Sequence, residues 1–199
     1  RLIEDGAGEI LVSGIPFQLI GLPGHAASQV GFMTPDKVVY LGDCLLGPSE
    51  ARQEKVIYML NWRTALDTMK TAAGRFEGSP CILSHYGVHR DMKAVLKANL
   101  QAFEEMEGRI LEIMPEEFYL EDMVKGLVGY MGILVKSLPK ARLMERVVRS
   151  LLEYMAETGR LEIGIKDGMI VYMYGGSPHI SGSSHMSGGS CTSGSSRTH

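Results

Sequence analysis

Three short segments carry the side chains best suited to chemistry: Leu22-Pro23-Gly24-His25, Tyr40-Leu41-Gly42-Asp43 and Leu83-Ser84-His85-Tyr86-Gly87. Each follows an apolar run that reads as a strand, and strand ends are where layered α/β proteins present functional side chains. Imidazole nitrogen and carboxylate oxygen both suit a divalent metal, zinc above all, with iron or manganese as further candidates. Taken singly, a histidine at a strand end is an ordinary hydrogen-bonded residue and an aspartate after glycine an ordinary turn residue. The combination of His25, Asp43 and His85, rather than any one of them, is what stands out. Ser84, Tyr86 and His89 lie near the last histidine and are candidates to orient it from a second layer. The plainer reading makes Ser84 and Tyr86 packing or hydrogen-bonding residues and puts His89-Arg90 at an exposed helix start. Cys44, Cys81 and Cys191 have no CxxC spacing, which argues against a thiolate metal site or a disulfide framework. The 13 methionines fall largely on helix faces and read as adaptable core fillers.

These segments need elements to hold them. Glu9–Val12 and Phe17–Leu22 read as strands separated by the turn Ser13-Gly14-Ile15-Pro16. Gln29–Met33 and Lys37–Leu41 read as a second pair, turned by Thr34-Pro35-Asp36. One long helix is expected over Glu50–Ala73, with Ser49 as its N-cap. Cys81-Ile82-Leu83 is a short buried strand. Asp91–Met114 is strongly helical, with Met92, Leu96, Leu100, Phe103, Met106 and Ile110 on one face, and Pro115 ends it. Two further helices follow, one from Leu120 to Gly132 and one over Lys140–Glu157. A hairpin then turns at Asp167-Gly168, a strong two-residue turn signal.

Composition is that of an ordinary globular chain: 199 residues, 45% hydrophobic, 22% charged, formal net charge −3. The charge argues against a globally basic nucleic-acid binder. No apolar run is long enough to span a bilayer, no signal-peptide pattern is seen, and the expected location is cytoplasmic. Residues 176–199 are dominated by Ser and Gly. They read as a disordered, non-native tail, in which His185 and Cys191 are poor ligand candidates.

The ordered set Pro23-Gly24-His25, the Gln29–Leu41 hairpin, Gly42-Asp43, the Glu50–Ala73 helix and His85-Tyr86-Gly87 resembles the metallo-β-lactamase superfamily. The resemblance implies an α/β (layered α+β) fold, the C-terminal half of an αββα sandwich, over residues 1–115. It implies a site for two divalent ions in which His25 is a ligand of the first, Asp43 bridges both, and His85 is a ligand of the second. The family's HxHxDH segment, which precedes Pro-Gly-His, has no counterpart here. The expectation is therefore an incomplete hydrolase with weak metal binding and little activity alone, paired with a missing N-terminal half or a second chain and acting on a small-molecule substrate. Residues 116–175 resemble the winged-helix-like module of some members. Lys136, Lys140, Arg142, Arg146, Arg149, Arg160 and Lys166 make this stretch locally basic. The alternative reading is accordingly a nucleic-acid-interacting protein, a nuclease or a winged-helix binder.

Overall fold

The structure is a computed structural model that describes residues 8–85 and 87–174. Tyr86, His185 and Cys191, singled out above, lie outside the described residues, as does the tail of which the last two are part. Strands β1 (Gly8–Val12), β2 (Ile15–Gly21), β3 (Val30–Met33), β4 (Val39–Gly42), β5 (Cys81–Leu83) and β6 (Gly87–His89) form one sheet in sequential order. All neighbours pair antiparallel except β4 and β5, which are parallel. A parallel pair needs a crossover, and α1 (Pro48–Gln53) and α2 (Trp62–Arg75) supply it.

Alternation along the strands gives the sheet two different faces. Ile20, Val39, Leu41, Cys81 and Leu83 point into a core built with α2 and with α3 (Met92–Ile113). Trp62 and Phe103, with ring centroids 4.2 Å apart, join those two helices. The other face carries Leu19, Phe32, Tyr40, Ile82 and Val88, each opposite the next in cross-strand register. Phe17 meets Phe32 edge-on and Phe32 stacks on Tyr40. No helix among the described residues is long and apolar enough to cross a membrane.

The chain continues through β7 (Glu117–Phe118), α4 (Leu120–Tyr130), α5 (Leu138–Glu157), β8 (Leu161–Lys166) and β9 (Met169–Tyr174). Strands β7, β9 and β8 form a second, three-stranded sheet. Asp167 turns the hairpin at φ 51°, the left-handed conformation a two-residue turn requires. Met144, Val147, Val148, Leu151, Leu152 and Met155 give α5 one buried face, continuous with the core below the first sheet. A buried hydrogen bond from the Trp62 amide to the Ser150 hydroxyl ties α2 to α5.

Several expectations need correction. The single Glu50–Ala73 helix is two helices with an irregular segment, residues 54–61, between them. Gly47, not Ser49, caps the first, and Asn61 caps the second by accepting from the Thr64 amide at 2.8 Å. An Asn cap competes with the helical hydrogen-bond pattern, which is why the apolar periodicity alone misleads here. The first turn is tighter than read, since Ile15 and Pro16 already belong to β2. Residues Gly87–His89 form a strand rather than a helix start, because β5 offers them a free edge to pair with. The two-residue strand β7 carried no periodic signal at all.

Candidate functional site

Strand direction assembles the site. Since β2 and β4 both run antiparallel to β3, and β5 is parallel to β4, the strands β2, β4 and β5 run the same way. Their C-terminal ends meet at one edge of the sheet, and from those ends depart His25, Asp43 and His85. The Nε2 atom of His25 lies 3.9 Å from Oδ2 of Asp43, and Nε2 of His85 lies 3.6 Å from Oδ1 of the same carboxylate. Asp43 thus stands between the two histidines and shows a different oxygen to each. With Glu54 and the 56–59 segment they line a cavity of about 310 Å³. His25 is the most enclosed of the three, at 26% exposure against 37% for Asp43 and 70% for His85, so the cavity opens on the His85 side.

Each loop is held by its own backbone logic. The carbonyl of Gly24 accepts from the amides of both Leu60 and Asn61, which anchors the start of α2 against the Pro23-Gly24-His25 loop. Gly24 itself takes φ +134°, and a Cβ there would stand 2.4 Å from the Cα of Ala65. Only glycine permits that approach. Thr68 on α2 adds a 2.7 Å hydrogen bond to the Pro23 carbonyl. Asp43 follows Gly42, whose φ of +59° turns the chain out of β4. The Gln29 amide donates to Leu41 O at 3.2 Å beneath this turn, and the Ser84 amide donates to Gly42 O at 3.1 Å. The last bond couples the Asp43 and His85 loops directly.

The irregular segment between α1 and α2 does more than cover the cavity. His25 Nδ1 stands 3.0 Å from the carbonyl of Tyr58. A carbonyl can only accept, so Nδ1 carries a proton, and Nε2 is the ring nitrogen turned toward Asp43. The Tyr58 ring meets the imidazole edge-on at 4.9 Å and fixes its plane. Carbonyl-oriented histidine is the arrangement that metal-binding imidazoles favour. Tyr58 and Glu54 were hidden from sequence reading inside an assumed helix. The signal that could have found them is Asn61, a capping residue in the middle of the run.

Among the remaining candidates, the Ser84 hydroxyl exchanges a 2.8 Å hydrogen bond with Tyr40 OH on the outer side of the sheet. His89 pairs with Cys81, at the opposite end of β5 from His85. Cys44, next to Asp43, is buried, and burial pushes its thiol up to about 12, so it stays protonated at neutral pH. Asn99 on α3, 1% exposed, grips the backbone of Leu46 at both ends: its Oδ1 accepts the Leu46 amide at 2.9 Å and its Nδ2 donates to the carbonyl at 2.8 Å. That clamp ties the loop following Asp43 to the core.

The donor set fits a divalent ion only in part. With bonds near 2.0–2.1 Å, two ligands on one tetrahedral ion stand roughly 3.3 Å apart, shorter than both His–Asp separations, 3.6 and 3.9 Å. Among the described residues no group of three or more His, Cys, Asp or Glu side chains gathers around one point. Each histidine shares Asp43 with the other, and among the described residues no third His, Cys, Asp or Glu ligand joins either pair.

No family model and no curated protein matches the sequence. Solved structures do match. A metallo-β-lactamase family protein from Thermus thermophilus superposes with a TM-score of 0.60 at 19% identity, over 86% of this chain and 53% of that one. A β-lactamase domain protein from Burkholderia ambifaria superposes with a TM-score of 0.64 at 12% identity, over 87% of this chain and 51% of that one. The chain therefore spans about half the length of the solved structures it matches. Its fold is that of the corresponding half of metallo-β-lactamase family proteins.

Proposed function

We propose that this chain forms part of the active site of a metal-dependent hydrolase of the metallo-β-lactamase superfamily, acting on a small-molecule substrate. The observation that carries the reading is the convergence of His25, Asp43 and His85 from three co-directed strand ends, with both histidine Nε2 atoms turned toward opposite oxygens of one carboxylate. His25 would hold a first ion, His85 a second, and Asp43 would bridge them. Zinc suits this donor set best, and iron or manganese would also be accommodated. When bound, such ions polarise a scissile carbonyl or phosphoryl group and acidify water. The chain's own residues do the orienting. Tyr58 O holds the His25 proton at Nδ1, Gly42 and Ser84 keep the two later loops in register, and Asn99 fixes the wall formed by Leu46.

A catalytic zinc normally takes three protein ligands and keeps one position open, and each His–Asp pair supplies two. The reading is therefore of an incomplete site, finished by a segment that brings further ligands. Two facts support it. The chain covers about half of the matched structures. The outer face of the sheet is apolar and, at Ile10, Val12, Ile15 and Val88, exposed, as a face awaiting a second layer would be. We read residues 116–175 as a winged-helix-like module, two helices followed by a hairpin. The nucleic-acid reading of that module is the weaker one, since Arg149, Arg160 and Lys166 are each engaged by a carboxylate, of Glu145, Glu107 and Glu117 respectively.

The test is zinc affinity of the chain alone and mixed with an N-terminal half carrying an HxHxDH segment. Weak binding alone, tight binding of about two ions on mixing, and loss of both on Asp43→Asn is the expected result. No metal uptake in a mixture shown to be folded and associated would return His25, Asp43 and His85 to structural roles.

A further inference from the structure

Among the described residues, a cavity not accounted for by this reading lies in the second half of the molecule. Helices α4 and α5 enclose a groove of about 420 Å³, larger than the one at His25. Its position follows from helix periodicity. Leu120, Met123 and Leu127 turn one face of α4 into the core, which leaves Val124 and Val128, four residues apart, side by side on the adjoining face. Val135 and Leu138 close one end and Met144 forms part of the opposing wall. Leu138, at 63% exposure, makes an apolar lip that water would not favour uncovered, and Leu134, outside the lining, is 70% exposed.

The rim is charged, and unevenly. Lys125 on α4 and Arg142 on α5 stand on opposite walls, and neither has an ion-pair partner among the described residues. Of the two carboxylates that line the groove, Glu145 is engaged by Arg149. Glu121 sits in the first turn of α4, where the helix dipole already favours it. Lys125, Arg142 and Glu121 are thus left on the rim of the apolar trough, an excess of one positive charge.

We propose that this groove binds a free fatty acid, with the alkyl chain along Val124, Val128 and Met144 and the carboxylate between Lys125 and Arg142. The volume lies within the roughly 300–1,000 Å³ of small-molecule sites, as does the pattern of apolar walls with a few polar groups. A protein partner fits less well. Ten residues line the groove, against roughly 20–30 on each side of a standard protein interface. Pairing of a carboxylate with two unpartnered cations supplies the charge-assisted hydrogen bonds that select an acid over an alcohol of equal length.

The test is a titration of the 199-residue chain with the fluorescent fatty acid cis-parinaric acid below its aggregation concentration, followed by competition with dodecanoate and with dodecanol. Saturable binding that dodecanoate displaces and dodecanol does not is the expected result. Arg142→Glu and Lys125→Glu, both surface changes that leave the core intact, should each weaken binding about tenfold, the loss of one charge-assisted hydrogen bond. Glu121→Gln should tighten it. Val128→Gln, checked for an unchanged melting curve, should reduce binding through the trough itself. Absence of saturable binding, equal displacement by dodecanol, or indifference to both charge reversals would each overturn the proposal. So would sedimentation showing that probe binding merely tracks a dimer formed through Leu134 and Leu138.

Discussion

At the scale of single residues, the candidate site is legible because its chemistry depends on residue type. His25, Asp43 and His85 stand out as candidate metal-binding side chains at strand ends without knowing how the strands are arranged. The residues that orient them are not, because they act through backbone atoms that every residue possesses. Tyr58 matters through its carbonyl and Leu46 through both ends of its peptide unit. Burial also changes residues whose type is plain. The Cys44 thiol is pushed up to about 12 from its ordinary value of 9.0. The folded state keeps this proton through a range in which the unfolded chain gives it up, so the unfolded state binds fewer protons there. Stability is consequently unaffected by this group below pH 9 and falls as pH rises from 9 toward 12. Chemical denaturation at intervals across that range should give a decline that Cys44→Ala makes shallower. An identical slope in the variant would mean that the thiol titrates normally.

At the scale of elements, the expected strands and helices form with small shifts at their ends, since hydrophobic period and turn chemistry are local properties. The exceptions share a cause. The break between α1 and α2, the strand β6 and the strand β7 exist because distant backbone satisfies them: Gly24 O receives the amides at 60 and 61, β5 pairs with β6, and β9 pairs with β7. The loop of His25 and the start of α2 behave as one unit on this account. Gly24→Ala would set a Cβ against the backbone of Ala65 at a φ that alanine resists. We expect a loss of roughly 2–4 kcal/mol, the range for overpacking combined with backbone strain. Urea unfolding should show a lower midpoint at unchanged slope, and a wild-type midpoint would show that the loop and α2 can separate freely.

At the scale of the whole molecule, the two faces of the six-stranded sheet differ in what they meet. One is closed by α2 and α3. The other presents Val88 at 63% exposure, Ile15 at 50% and Val12 at 49% beside the Phe17–Phe32–Tyr40 aromatic row. An uncovered face of this kind should bind a hydrophobic dye such as ANS while the thermal transition remains cooperative. Ile15→Lys with Val88→Lys should cut that fluorescence by about half or more, without lowering the melting temperature, since exposed positions contribute little to stability. Undiminished dye binding in the double variant would place the apolar surface elsewhere, the α4–α5 groove being the first place to look.

The sequence alone determined which residues could act and in which local elements they would sit, because side-chain chemistry, apolar period and turn preference are written within a few neighbouring positions. It also carried the resemblance to a metallo-β-lactamase half, in the order of Pro-Gly-His, Gly-Asp and His-Tyr-Gly. Only tertiary structure decided that the three strand ends meet at one sheet edge, that one carboxylate faces two histidines, and that a broken helix supplies the carbonyl that sets the His25 tautomer. The physical reason is that strand direction, crossover and backbone hydrogen bonding are settled between segments tens of residues apart. No local pattern in either segment records the partner it will find.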